Sequence, residues 1–337
     1  MTNDGTKIIK ENNFDILRLI LALLVVFAHW NALTENKSTN FIFYISGYSV
    51  AMFFIVSGFL IFWSFDKDNS KKNFFVKRFF RIYPLYLIII ILQTLFFIFY
   101  SKETNIFLYI KYFFVNIFYL NFLSPSVGQT LSELHVNAIN GSLWTLKIEI
   151  MFYLAVPLIY FLYKKIGIMF IIFLYFISFF WKYFMNYLHL ESLSHQFPGQ
   201  LKFFVVGIIF YLLYERINHK HFHLISFISL ISLISLIYIK NYSNIHIINF
   251  FGPILLGIIC FYFVFFIKYI KIEFDFSYSI YVIHFPIIQI VLYFNLNPDN
   301  PLLSFCLIIC LVFIFGFFLE KYVEKRFINF GKRFLYK

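Results

Sequence analysis

Residues 14–34 read FDILRLILALLVVFAHWNALT. An apolar run of this length crosses the ~30 Å hydrocarbon layer of a bilayer as one helix. Two ionisable residues sit inside it, Arg18 and His29. They are roughly 16 Å apart along a helix axis at 1.5 Å per residue. With Arg18 at one edge of the bilayer, His29 reaches its middle. Ionisable groups at that depth are costly, so they mark a functional site or else satisfy a polar contact between helices.

The rest of the chain has the same character. It is 61% hydrophobic and 13% charged over 337 residues, against about 25% charge in a soluble domain. No polar block is long enough to fold separately in water, so residues 1–337 read as one integral membrane domain. The expected fold is an all-α membrane protein with ten transmembrane helices around a central polar cavity. The spans fall at roughly 14–34, 41–64, 79–100, 142–163, 166–187, 199–214, 222–239, 248–268, 275–294 and 301–320. A further apolar patch, 106–123, is interrupted by Lys111 and Asn116 and reads as an interfacial or re-entrant segment. Lys7 and Lys10 before the first span resemble the start of a signal sequence. No small-residue cleavage site follows, so the helix is expected to be retained.

Ten spans put both termini on one side. Of the 28 Lys and Arg residues, only Lys37, Lys102, Lys111, Lys147, Lys182, Lys202 and Lys240 fall on the other side. This bias places both termini in the cytoplasm by the positive-inside rule. The net charge of +12 therefore reflects topology, and no nucleic-acid partner is expected. Cys260, Cys306 and Cys310 all lie in apolar segments. They show no metal spacing and are read as small hydrophobes. His219, His221 and His223 alternate in HKHFH without a nearby acid or thiol, and no metal site is assigned.

Topology gives depth to the remaining polar residues. Glu149 lies roughly 10 Å below the outer surface and His284 roughly 18 Å above the inner one. His29, Glu149 and His284 thus share the central layer from three different spans. A histidine beside a carboxylate is a base with an orienting partner; a neutralising pair of Glu149 with Lys147 or with a histidine is the structural alternative. At the inner edge stand Arg18 and, in KRFFRIYPLY, Arg78 and Arg81. The latter two are three apart at an expected helix start and share a face. Guanidinium groups bind phosphate bidentately, and the alternative is topology and lipid headgroups. Asp15 is one turn from Arg18 and is read both as its ion-pair partner and as a cavity-lining residue. Ser57 and Gly58 in FFIVSGFLI read as a close helix contact.

These segments resemble the acyltransferase 3 family of integral membrane acyltransferases. The resemblance rests on Arg18 and His29 in FDILRLILALLVVFAHW, MFFIVSGFLI at 52–61, KRFFRIYPLY at 77–86 and GSLWTLKIEIMFYL at 141–154. It continues through FSYSIYVIHFPII at 276–288 and EKYVEKRF at 320–327, where Arg326 replaces the usual proline. It implies a stand-alone enzyme, without a fused hydrolase-like domain, in the inner (cytoplasmic) membrane. Such an enzyme moves an acyl group, acetyl by default, from cytoplasmic acyl-CoA to a hydroxyl of a glycan or lipid-linked sugar. Carried onto this chain, His29 would be the catalytic histidine and Glu149 a site carboxylate. Arg18, Arg78 and Arg81 would engage the coenzyme A phosphates. Asp15, Trp144, Tyr278 and His284 would line the cavity, with membrane lipids around the whole. Direct transfer and an acyl-histidine intermediate both fit. A flippase or transporter of glycan or lipid-linked sugar is the competing class, since midplane polar residues also mark transport sites. A structural envelope subunit is a third.

Overall fold

Long apolar runs broken by short polar turns can satisfy their backbone in lipid only as helices or as a closed barrel. The computed structural model describes residues 11–34, 46–217, 219–238, 244–296 and 299–335, and among them it contains helices and no strand. Lys7, Lys10, Lys37, Lys240, the start of the second expected span and the side chain of His219 lie outside the described residues.

The helices are α1 (Phe14–Leu33), α2 (Ser49–Lys67), α3 (Lys71–Tyr100), α4 (Ile106–Ile117), α5 (Trp144–Ile166) and α6 (Ile168–Tyr187). They continue as α7 (Phe197–Leu213), α8 (His219–Tyr238), α9 (Asn244–Phe266), α10 (Ser277–Tyr293), α11 (Pro301–Leu319) and α12 (Lys325–Leu335). Among the described residues, eight helices are long and apolar enough to cross a membrane. The expected seventh and ninth spans, α8 and α10, carry shorter apolar stretches, His221–Leu236 and Ser277–Tyr293. At 12 residues, α4 is too short to span.

One boundary needs correction. Helix α3 begins at Lys71, so Arg78 and Arg81 lie about two and three turns inside it and not at its start. The extension is amphipathic: Phe74 is buried while Lys71, Lys72 and Lys77 are exposed, so an apolar run does not reveal it.

The chain divides into two compact units, each assembled from three stretches. One holds residues 1–18, 50–71 and 148–273, the other 19–49, 72–147 and 274–337.

In the first unit α7 packs against α6 and α9, and α8 against α9. Helices α2 and α7 touch backbone to backbone. A Cβ on Gly58 would lie 2.1 Å from the Phe204 carbonyl oxygen, and one on Gly207 2.0 Å from that of Ile55. This is the close contact expected at Gly58. Asp66 ties three helix ends together, accepting from Tyr160 at 2.7 Å and Tyr211 at 2.6 Å, with Lys164 Nζ 3.6 Å away. Buried Asn13 donates to the Ile267 and Lys268 carbonyls at 3.0 and 3.2 Å, where α9 ends with orphan acceptors. These contacts join ends that strict alternation of spans places on one side. Pro253 lacks an N–H and leaves the Asn249 carbonyl of α9 without its helical donor. The fully buried Lys202 fills the gap, its Nζ donating to that oxygen at 2.8 Å.

The second unit is organised on α10, which packs against α11. Its start is fixed by Tyr278, whose hydroxyl donates to the Ile82 carbonyl at 2.9 Å. Its far end is fixed by Gln289, which donates to the Val136 and Ala138 carbonyls at 2.8 and 2.7 Å. Between them Pro286 frees the Val282 carbonyl, and buried Asn140 donates to it at 2.9 Å. Gly141 lies against the Phe285 ring, where a Cβ would come within 2.7 Å. The segment 140–142 therefore clamps α10 at the level of His284.

Candidate active site

His29 projects from α1 and His284 from α10, both within the second unit. His29 Nδ1 lies 2.9 Å from His284 Nε2, and the rings stack with centroids 5.0 Å apart and planes 29° from parallel. The Phe285 ring stands edge-on to His29 at 5.1 Å. His284 is fully buried, while His29 is partly exposed.

The protons follow from the neighbours. His284 Nδ1 is 3.2 Å from the Ile280 carbonyl oxygen, which can only accept. Nδ1 of His284 therefore carries the hydrogen, and its Nε2 offers a lone pair. The hydrogen between the two rings belongs to His29 Nδ1. By elimination the lone pair of His29 is on Nε2, at the ring edge turned away from His284. A neutral imidazole held in one tautomer with a free Nε2 can accept a proton from a bound hydroxyl or attack an electrophilic carbonyl.

The ring environment is polar but carries no formal charge in its hydrogen bonds. Tyr281, three residues before His284, has its hydroxyl 2.6 Å from Thr145 Oγ1. Ser142 donates to Asn140 Oδ1 at 2.7 Å. Trp144 is half-buried at the start of α5, and Lys147 lies over the Phe122 ring at 4.6 Å. Asn140 was not singled out from the sequence; Pro286 was the signal, because an apolar helix containing proline needs a donor four residues back.

Glu149 belongs to the first unit and is held there by hydroxyl groups. Tyr153 donates to Oε1 at 2.6 Å and Ser57 to the same oxygen at 3.4 Å. Among the described residues no hydrogen bond reaches Oε2. The sequence marks Ser57 for packing and not as a partner of Glu149, and it leaves Tyr153 unmarked, although Tyr153 sits one helical turn after Glu149.

Two of the inner arginines are engaged by acids. Arg18 pairs with Asp15 at 2.5 Å as expected, in the first unit. In the second, Arg81 lies 3.7 Å from Asp275, and Arg78 stacks 5.6 Å from the Phe74 ring centroid. Glu324, only 4% exposed, accepts from Ser279 at 2.9 Å and interacts electrostatically with Arg81. It stands at the end of a π-turn, Glu320–Glu324, that interrupts the helix between α11 and α12. His223 of the HKHFH stretch meets Tyr262 at 3.1 Å.

A family model described as an acyltransferase domain matches residues 11–321, which hold every candidate site residue named above except Glu324. The chain belongs to the acyltransferase domain family. Two curated relatives match part of the chain's length. Nodulation protein 10 of Rhizobium leguminosarum bv. viciae is 35% identical over 165 residues, 44% of each chain. The O-acetyl transferase of Shigella phage Sf6 is 32% identical over 152 residues, 43% of this chain and 44% of the relative. The chain thus spans less than half the length of either relative. No solved structure matches it.

Proposed function

We propose that this multi-pass membrane acyltransferase transfers an acyl group, acetyl in the simplest case, from acyl-CoA to a hydroxyl of an envelope glycan. The hydrogen-bonded pair of His29 and His284, with Nε2 of His29 unbonded among the described residues, carries the reading. The name of the phage relative, O-acetyl transferase, supports the choice of oxygen as acceptor atom. The charge bias of the loops supports an inner-membrane protein with cytoplasmic termini.

His29 Nε2 removes the proton from the acceptor hydroxyl as that oxygen attacks the thioester carbonyl. The tetrahedral intermediate collapses with cleavage of the carbon–sulfur bond. The thiolate leaves and takes the proton back from the His29 imidazolium, releasing coenzyme A. Throughout, His29 Nδ1–H stays bonded to His284 Nε2, so His284 orients the ring and shares the transient charge. General-base assistance of this kind is worth roughly 10²–10⁴-fold. Arg18, Arg78 and Arg81 are proposed to meet the donor phosphates, which must compete with Asp15 for Arg18 and with Asp275 for Arg81. Glu149 is proposed as a carboxylate of the reaction, with Oε2 open to a ligand.

The test is incubation of purified protein, reconstituted in vesicles, with acetyl-CoA labelled in the acetyl group and a surface-glycan fraction. Label appearing in the glycan as a base-labile ester is the expected result. Glycan crossing the vesicle membrane with no label transferred would replace the enzyme with a flippase.

A further inference from the structure

Helix α12 continues from α11 through the π-turn and lies beyond the residues that match the family model. It reads KRFINFGKRFL. At about 100° per residue, Lys325, Arg326, Asn329, Lys332 and Arg333 occupy one arc, and every other position is apolar or glycine. No acidic residue interrupts the basic arc.

The two faces differ in what covers them. Part of the apolar face docks on α3: Gly331 is buried against Phe80, and the Phe330 and Phe334 rings lie 5.4 and 6.5 Å from the Phe80 ring. A Cβ on Gly331 would come within 2.7 Å of that ring, so the contact needs glycine. The outer edge is uncovered, with Phe330 57% and Phe334 54% exposed. On the basic face Lys325 rests over Phe274 and Arg326 over Tyr322. Lys332 and Arg333 have no hydrogen bond or ion pair among the described residues.

We propose that α12 is an interfacial helix whose occupant is anionic phospholipid. Its aromatic edge enters the acyl-chain boundary, and Lys325, Arg326, Lys332 and Arg333 face the phosphate layer. Two observations select lipid over a protein partner. The uncovered aromatic edge is continuous with an apolar helix, α11, whose own Phe315 and Phe318 are about half exposed. The charges on α12 are all positive, and although Lys325 interacts with Glu320 of the π-turn, Lys332 and Arg333 form a cationic edge complementary to a surface of phosphate diesters. Basic side chains near an anionic leaflet contribute about 1 kcal/mol each, or roughly fivefold in affinity at 1.4 kcal/mol per decade.

The full chain, purified in a neutral detergent, is titrated with phosphatidylglycerol and with phosphatidylcholine, and bound lipid is counted by native mass spectrometry. The wild type is expected to bind phosphatidylglycerol preferentially. Lys332→Gln with Arg333→Gln is expected to weaken that binding roughly 25-fold, with phosphatidylcholine binding and thermal stability unchanged. Equal phosphatidylglycerol binding by wild type and variant would overturn the proposal. Displacement of the bound lipid by free coenzyme A, with a raised KM for acyl-CoA in the variant, would also overturn it and give this face to the donor. A second variant, Phe330→Ser, tests the aromatic edge and should lower binding of both lipids.

Discussion

Pro286 and Pro253 each leave a carbonyl without its helical donor, Val282 in the second unit and Asn249 in the first. The Val282 oxygen receives the neutral amide of Asn140, whereas the Asn249 oxygen receives the side-chain amine of Lys202. The backbone requirement is the same, but the neighbourhood is not. Asn140 acts on the helix that carries His284, at the Val282 carbonyl two residues before that imidazole. An amine in that place would bring a cation beside the imidazolium that forms on His29 during transfer. At 4 Å and an effective dielectric constant near 20, such a pair costs about 4 kcal/mol. Lys202 interacts electrostatically with Lys182 and His195, neither of which is proposed to move a proton. The second unit thus places a neutral amide beside the imidazole pair, and the first places a lysine on its freed carbonyl, away from the groups proposed to react.

Variants can break or sharpen this contrast. The largest effect is expected for His29→Ala, which should lower acyl transfer at least 10³-fold with the protein still folded in the membrane; a near-normal rate would remove His29 from the chemistry. His284→Ala should cost about 100-fold, because the His29 ring loses its orientation while Nε2 remains, and the loss should appear in kcat more than in KM. Asn140→Ala should lower both rate and stability, the latter by about 1–3 kcal/mol for an unsatisfied buried carbonyl. Lys202→Met should cost a similar amount of stability, read as a lower melting temperature in detergent, with the rate per folded molecule unchanged. A rate loss in Lys202→Met as large as in Asn140→Ala would erase the distinction between the units.

Much of the architecture was legible in the sequence because lipid leaves so few options. Apolar runs and lysine-bearing turns placed the spans, and depth counting put His29 and His284 in one layer, where the structure joins them at 2.9 Å. The start of α3 was hidden because its first turns alternate lysine with phenylalanine and read as loop. The partners of the polar residues were hidden for a different reason. Which helix supplies the donor to a proline-freed carbonyl, or the hydroxyl to Glu149, depends on which helices are neighbours, and span order alone does not state that. Ser57 and Gly58 signalled one such contact, since small residues mark close approach, but Asn140, Tyr153 and the bond from Ser57 to Glu149 carried no comparable mark.

The central claim is that His284 holds His29 in the tautomer that leaves Nε2 free. Solid-state ¹⁵N NMR of histidine-labelled protein in lipid, with the two rings assigned through His29→Ala and His284→Ala, measures this directly. The account predicts hydrogen on Nδ1 of both rings and a hydrogen-bond correlation between His29 Nδ1 and His284 Nε2. Hydrogen on Nε2 of His29, with no correlation between the rings, would contradict it.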